Sequence, residues 1–369
     1  MSVSHRSDPF DPVRDAKLRI AACQATRPVR IGVLVNGCAR RMVSGRAQAR
    51  LTRSAGDGVP IVWTSTIAEV PGALRELLCR RGVNVLAVAG GDGTVHHIVN
   101  ALLDLHAQHV TALQAASGAV AAATVALPRM LILNGGTLNI IGRTVGIHGP
   151  PHHTLGKFQR HFAGASLRRV PARRVPLLHV SRPASSEQRY GFVFGSETLF
   201  HAIELYVRFG AGYLGLARFL AELSRGATAG SGLWREERWK LGPFGHPISV
   251  DGVIHPTYTA VVASTVDLTL AIAAIRAIRR PLGASGFHAK VVLEADPLAL
   301  VRQIPAMMSE RSTPGVVDVP EAHELSLLGP YTLDGECFAD PGPGRSPLRV
   351  ATAAHRIALV PGEFGAAGW

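Results

Sequence analysis

Short apolar runs recur along the first 140 positions. "VRIGVLVNG" (29–37), "VPIVWTST" (59–66), "VNVLAVAGG" (83–91) and "RMLILNGG" (129–136) are rich in β-branched and aliphatic residues, and each closes on a polar or glycine turn. Runs this short and this apolar predict strands buried on both faces. Between them lie stretches with helical spacing, such as "VPGALRELLCRR" (70–81). Strand, turn and helix in repetition predict a parallel sheet covered by helices, a Rossmann-like α/β unit. Such sheets bind ligands at the carboxyl ends of their strands. Asn36, Thr64, Asp92 and Thr137 stand at those ends.

After "HGPPHHTLG" (148–156) the pattern changes to strand-like runs in closer succession, from "RVPLLHVSR" to "LRVATAAHRIALV". This predicts a second, mostly antiparallel β-sandwich domain. One long helical stretch, Thr198 to Arg225, interrupts it, and Gly210, Gly212 and Gly215 should bend or break that helix. Its apolar surface reads first as core packing and second as the border of a lipid-tail groove. The resulting division is a loose leader (1–27), an α/β domain (28–150), a β-rich domain (151–350), and a C-terminal strand and tail (351–369). The prolines of "HGPPHH" suggest an interdomain hinge. "PGPGRSP" (341–347) reads as a loop. "LWREERWK" (233–240) reads as a solvated loop or a membrane-interface segment.

Composition narrows the partners. The 369 residues are 47% hydrophobic and carry a formal charge of +13, which points to anionic partners such as an acidic membrane surface or a nucleotide. Basic residues are spread along the chain without a tract interleaved with aromatics, so no nucleic acid partner is expected. Cys23, Cys38, Cys79 and Cys337 form no CxxC pair, which fits a reducing cytoplasm. The alanine-rich stretch 115–133 is interrupted by Pro128 and does not read as a membrane span. Dimerisation is left open.

Three turns carry the chemistry. In "AVAGGDGTVHH", Gly90, Gly91, Asp92, Gly93 and Thr94 join a strand to a helix. A helix start offers unpaired N–H groups to phosphate, yet the acid repels it. Asp92 is therefore a plain helix cap, a ligand for bridging Mg²⁺, or a partner for a hydroxyl. The second turn, Gly135, Gly136 and Thr137 with Asn139, closes the fourth strand, so two glycine turns would face one nucleotide. The third, "YTLDGECF", reads as a hairpin turn, with Glu336 or Asp334 as a general base in the alternative. His96 and His97 follow the first turn and face different ways on a helix.

GGDGT, a later GTxN, an early strand ending in asparagine and a distant DGE occur in that order, from about Val29 to Val360. In this the chain resembles the diacylglycerol kinase catalytic family, which includes bacterial lipid kinases, sphingosine kinases and ceramide kinases. The resemblance implies transfer of the γ-phosphoryl group of ATP, with Mg²⁺, to a lipid hydroxyl, most simply that of diacylglycerol. It implies nucleotide contacts at Asn36, Thr64, Asp92, Thr94, Thr137 and Asn139 and the glycines Gly90, Gly91, Gly93 and Gly136, metal binding at Asp92, and Glu336 as base. Three departures stand out: His96-His97 where the family commonly has Asn-Glu, Ile140 where it often has Asp, and "PLGASGFHAKVVL" in place of a glycine-rich segment. Rival readings are a kinase of NAD, with which GGDGT is shared, and a non-catalytic lipid or nucleotide binder.

Overall fold

The computed structural model describes residues 11–117, 125–183, 185–210, 213–242, 246–270, 275–278, 285–294, 296, 299, 314–339 and 346–364. The strands are β1 (Ile31–Asn36), β2 (Ile61–Thr64), β3 (Val85–Gly90), β4 (Arg129–Asn134), β5 (Arg173–Ser181), β6 (Gln188–Gly191), β7 (Val193–Glu197), β8 (Ile248–Val250), β9 (Val253–His255), β10 (Ala260–Ser264), β11 (Leu268–Leu270), β12 (Ile275–Ile278), β13 (Phe287–Val292), β14 (Val316–Ala322), β15 (Glu324–Leu327), β16 (Tyr331–Leu333), β17 (Glu336–Phe338) and β18 (Leu348–Leu359). The helices are α1 (Pro12–Ala22), α2 (Gly45–Ala55), α3 (Val70–Arg75), α4 (Asp92–Ser117), α5 (Ile140–Thr144), α6 (Pro151–Phe162), α7 (Thr198–Val207), α8 (Tyr213–Ala229) and α9 (Gly232–Glu237).

The four expected strands pair in parallel in the order β2-β1-β3-β4. β1 and β3 are buried on both faces, as their unbroken apolar runs require. Beside β4 the sheet continues through β18, and from there to β15, β8 and β9, with β5 and β6 branching from β18. A second sheet, β14-β13-β10-β7-β16-β17, is antiparallel throughout. The sandwich core lies between this sheet and the extended half of the first, with Leu178, Ile248, Leu325 and Val350 facing Phe194, Val261, Phe287 and Leu333. The sequence-based fold class, a Rossmann-like half followed by a mostly antiparallel sandwich, is what the chain adopts.

β18 is the element both halves share. Its end at Leu359 pairs in parallel with Met130 of β4, while its start pairs antiparallel with β15. Val350 belongs to the sandwich core and Ile357 to the α/β core. The two cores therefore meet along one backbone.

Three local expectations change. Residues 12–22 of the supposed loose leader form α1, capped by Asp11, whose carboxylate accepts from Val13 N and Arg14 N. Ala16 packs with Leu113 and Val125, and the buried Arg19 donates to His109 Nδ1 and to the Ala126 carbonyl, at 3.0 Å each. Only Ala16 and Arg19 of this helix are buried, so an apolar period could not reveal it. Residues 1–10 lie outside the described residues. The supposed hinge at 148–156 leads straight into α6, with Pro151 in its first turn, where a missing N–H costs nothing. "LWREERWK" is helical, split between α9 and a 3₁₀ turn over Arg238–Leu241.

The break expected near the central glycines of 198–225 is present: α7 ends before Gly210, whose φ is 87°. Much of "PGPGRSP" and of the segment standing for the glycine-rich stretch lies outside the described residues. Among the described residues, no helix is long and apolar enough to cross a membrane.

Ile357 is fully buried, so Ile357→Ala should cost about 2–5 kcal/mol. Because β18 belongs to both cores, urea unfolding followed by tryptophan fluorescence and by far-UV circular dichroism should shift together as one transition. Two separated transitions would contradict the coupling.

Candidate functional site

Two glycine turns meet backbone to backbone at the carboxyl ends of β3 and β4. Gly135 N donates to Gly90 O at 2.9 Å. A Cβ on Gly91 would lie 3.1 Å from Gly136 Cα, and one on Gly135 would lie 2.9 Å from Gly90 N. A Cβ on Gly136 would overlap Gly91 Cα, and one on Gly90 would overlap the Thr94 side chain. The turns are thus glycine because each occupies the space of the other's side chains.

Asp92 welds them. It opens α4 from the first turn, and its two carboxylate oxygens accept from Ile140 N and Ile141 N, each at 3.1 Å, at the start of α5. Asp92 is therefore a helix cap, but of a helix after the second turn rather than of its own. Burial pushes its carboxyl up to about 6, against the lowering effect of these N–H bonds; the nearby Asp334 carboxylate adds to the rise. The departure at Ile140 fits here: its backbone N–H, not its side chain, meets Asp92.

The other sequence-derived residues divide into two groups. Asn36 Nδ2 donates to Thr94 Oγ1 at 2.9 Å, and Asn36 Oδ1 accepts from Cys38 N. Thr64 is buried with its hydroxyl on the Val35 carbonyl. Asn139, at φ 50°, closes its own turn by exchanging hydrogen bonds with Gly136. These side chains build the rim of the strands. Thr137 instead lines an open cleft of about 430 Å³ with Arg40, Arg41, Gly136 and Leu214. The arginines were missed in the sequence, although their place just past the Asn-Gly turn of β1 was a signal. Arg41 is fixed by its N–H on Gly135 O.

The DGE segment forms the hairpin between β16 and β17 and also closes on the first turn. Asp334, at φ 54°, accepts from Phe192 N and Val193 N at 2.9 Å through Oδ1, and its Oδ2 lies 3.2 Å from His96 Nδ1. Both partners of that contact are nearly inaccessible. Glu336 lies against Gly93, where a Cβ would overlap its Oε1, and its Oε2 is 3.5 Å from His97 Nε2. The hydrogen bond from His97 is the main reason its carboxyl is held below the usual range, and partial burial opposes this. The two unusual histidines are thus the partners of the two hairpin acids. Facing different ways on α4, one clasps Asp334 inside and the other meets the partly exposed Glu336.

Beyond Asp92 lies a cavity of about 310 Å³, walled by Leu138, Ile141, Phe194, Ile203, Phe219 and other apolar residues, with Asp92, Tyr206, Thr332 and Asp334 as its polar side chains. It lies between the two sheets' ends and α7–α8, where a lipid-tail groove was the second reading. Asp92 stands at the junction of this cavity with the glycine turns. A buried carboxylate with a like charge nearby gains from a cation, and carboxylate oxygens suit Mg²⁺; both Asp92 oxygens already accept backbone N–H bonds, so an ion would have to share them.

Residues 35–168 match the model of the diacylglycerol kinase catalytic domain. That segment holds both glycine turns and ends before Asp334 and Glu336. The chain is similar to a solved diacylglycerol kinase of Bacillus anthracis str. Sterne, with a TM-score of 0.56 and 13% identity over 90% of this chain and 96% of that one. Two further structures from that organism, each of a candidate diacylglycerol kinase, superpose with TM-scores of 0.59. They are 15% and 14% identical, over 90% of this chain and 97% and 96% of theirs. At such identities the likeness establishes the fold. No curated protein matches the chain.

Gly136→Ala should force the turns apart, costing about 1–3 kcal/mol; thermal unfolding checks it. A second expectation concerns Asp92. Its folded pKa lies above the unfolded value, so its stabilising contribution is complete below about 3.8 and is lost as pH rises through about 6. A bound cation competes with that proton. Mg²⁺ should therefore raise the melting temperature more at pH 7.5 than at pH 5, and Asp92→Asn should remove the difference.

Proposed function

We propose, from the match of residues 35–168 to the model of the diacylglycerol kinase catalytic domain, that the protein is an ATP-dependent lipid kinase that phosphorylates the hydroxyl of diacylglycerol to give phosphatidic acid. The observation that carries this reading is the position of Asp92, which belongs at once to the glycine turns and to an almost wholly apolar cavity. A cavity walled by Leu138, Ile203 and Phe219 suits hydrocarbon chains. A kinase acting on NAD would need polar contacts for a second nucleotide.

In this reading the ATP phosphates lie over the glycine turns, toward Arg40, Arg41, Thr137 and the N-terminal N–H groups of α4. The acyl chains of the acceptor fill the apolar cavity, and the hydroxyl points to its Asp92 end. Glu336, its carboxyl held below the usual range by His97, accepts the hydroxyl proton as the new O–P bond forms and the bond from the γ-phosphorus to the departing ADP oxygen breaks. Phosphoryl transfer through a loose transition state asks more for charge and position than for a strong base. Asp92 would hold Mg²⁺, which shields charge on the transferring phosphoryl group. His97 orients Glu336, and Asp334 ties the hairpin to α4 so that Glu336 stays against Gly93. The +13 formal charge supports peripheral contact with an anionic cytoplasmic membrane surface, from which the acceptor would come.

With labelled ATP and thin-layer separation, diacylglycerol should be phosphorylated in preference to ceramide, sphingosine, undecaprenol and NAD. Phosphorylation of NAD alone would overturn the reading. Glu336→Gln should lower kcat by about 10²–10⁴-fold while leaving ATP affinity nearly unchanged. Near-normal turnover would remove Glu336 from the role of base.

A further inference from the structure

The cleft at Thr137 has a neighbour. A pocket of about 320 Å³ lies between the start of α2 and the start of α6, lined by Arg41, Arg46, Arg50 and His152 together with Met42 and Pro150. Arg41 lines the Thr137 cleft as well, so the two openings share one side chain. The walls are tied in place. Gln48 Nε2 donates to the Met42 carbonyl at 2.9 Å, and Ser54 Oγ donates to the His152 carbonyl at 2.8 Å, which joins α2 to α6. The backbone at Arg41 is held by its N–H on Gly135 O.

The charge around this pocket is one-sided. The segment 40–53 holds Arg40, Arg41, Arg46, Arg50 and Arg53 and no acid, and α6 has no acid either. Arg46 and Arg50 stand four positions apart on α2, a spacing at which like charges repel. Among the described residues, Arg41, Arg46 and Arg50 enter no ion pair. Arginines elsewhere do, as Arg81 with Glu76 and Arg182 with Glu187. His152 feels the same field: burial, and then the charges of Arg50 and His153, hold its imidazole below the usual range. Three guanidinium groups around one hollow, without a counter-ion from the protein, gain from an anion that they can share.

We propose that the pocket between α2 and α6 is a second anion site, separate from the nucleotide cleft, which takes a phosphomonoester: inorganic phosphate or the phosphate headgroup of a lipid. A carboxylate offers two oxygens and one charge. A phosphomonoester offers three oxygens and nearly two charges, which suits three arginines better, and guanidinium forks match phosphate oxygens in pairs. The shared Arg41 couples the two openings. A phosphate in the pocket draws on the same guanidinium that the nucleotide phosphates use, and it adds negative charge beside them. Occupation of the pocket therefore weakens nucleotide binding. The anion site stands whether or not the protein is a kinase; the coupling rests on the nucleotide placement proposed above.

The test uses the full chain at low ionic strength, where such contacts are least screened. Calorimetric titration with inorganic phosphate is one arm. Flotation with phosphatidylcholine vesicles containing phosphatidate is the other, and the two arms tell a free phosphate from a headgroup. The double variant Arg46→Gln with Arg50→Gln should bind the probe about tenfold more weakly while binding ADP as the parent does. Arg53→Gln, on the same helix but outside the pocket, should leave probe binding unchanged. Saturating phosphate should weaken ADP binding several-fold in the parent protein and not in the double variant. Binding of neither probe, equal binding by the double variant, or the same loss in Arg53→Gln would overturn the inference. A parallel loss of ADP binding would also overturn it, because the pocket would then belong to the nucleotide cleft. So would equal flotation with phosphatidylglycerol vesicles, which would mark a general attraction to anionic surfaces. A parent protein that binds phosphate through Arg46 and Arg50 but binds no ADP would remove the nucleotide placement and the coupling, and leave the anion site standing.

Discussion

The Asp92 carboxylate, shared between the starts of two helices, is the constraint on which the site depends. It begins α4 and caps α5 through Ile140 N and Ile141 N, so the two glycine turns cannot move independently. Their backbones touch because neither carries a Cβ at the contact. Asn36, Thr64 and Thr94 then knit the ends of the neighbouring strands to this pair. The result is a rigid edge with backbone N–H groups on one side and an apolar cavity on the other. A carboxylate in that position is costly to ionise, which is why burial pushes its pKa upward and why a cation there would be favoured.

At this edge a hairpin ties the second half of the molecule to the first. Asp334 joins β7 to β16 by accepting from Phe192 N and Val193 N, and it reaches His96 on α4. Glu336 is carried on the same turn to Gly93. The hairpin therefore locates an acid from the sandwich at a turn of the α/β unit, across about 240 residues of sequence. β18 supports the arrangement from behind by lending side chains to both cores. Motion between the halves would have to strain a shared strand as well as the buried His96–Asp334 contact, which favours a preformed site over one assembled by large closure.

The four parallel strands and the glycine turns were legible in the sequence because each is a local pattern: an apolar run, a stop, a helical period. Asp92, Thr94, Thr137 and Glu336 were found on motifs for the same reason. What each does was less legible. Asn139 was expected to offer its amide outward, yet it spends it on Gly136. The cleft arginines Arg40 and Arg41 belong to no motif. α1 escaped notice because the residue it buries most tellingly is Arg19, which reads as a solvent residue. Its burial is permitted by His109 and the Ala126 carbonyl, partners that lie far along the chain.

By itself the sequence determined the local vocabulary of this protein, namely which segments are buried strands, where turns need glycine and which acids stand at those turns. Only the tertiary structure decided which of these pieces meet. His96 and His97 looked like two misfits after GGDGT; folding sets them opposite Asp334 and Glu336 and makes them the clasp between the halves. The reason is physical. Propensity and periodicity act over a few residues, whereas hydrogen-bond satisfaction is settled by whatever the fold brings within about 3 Å.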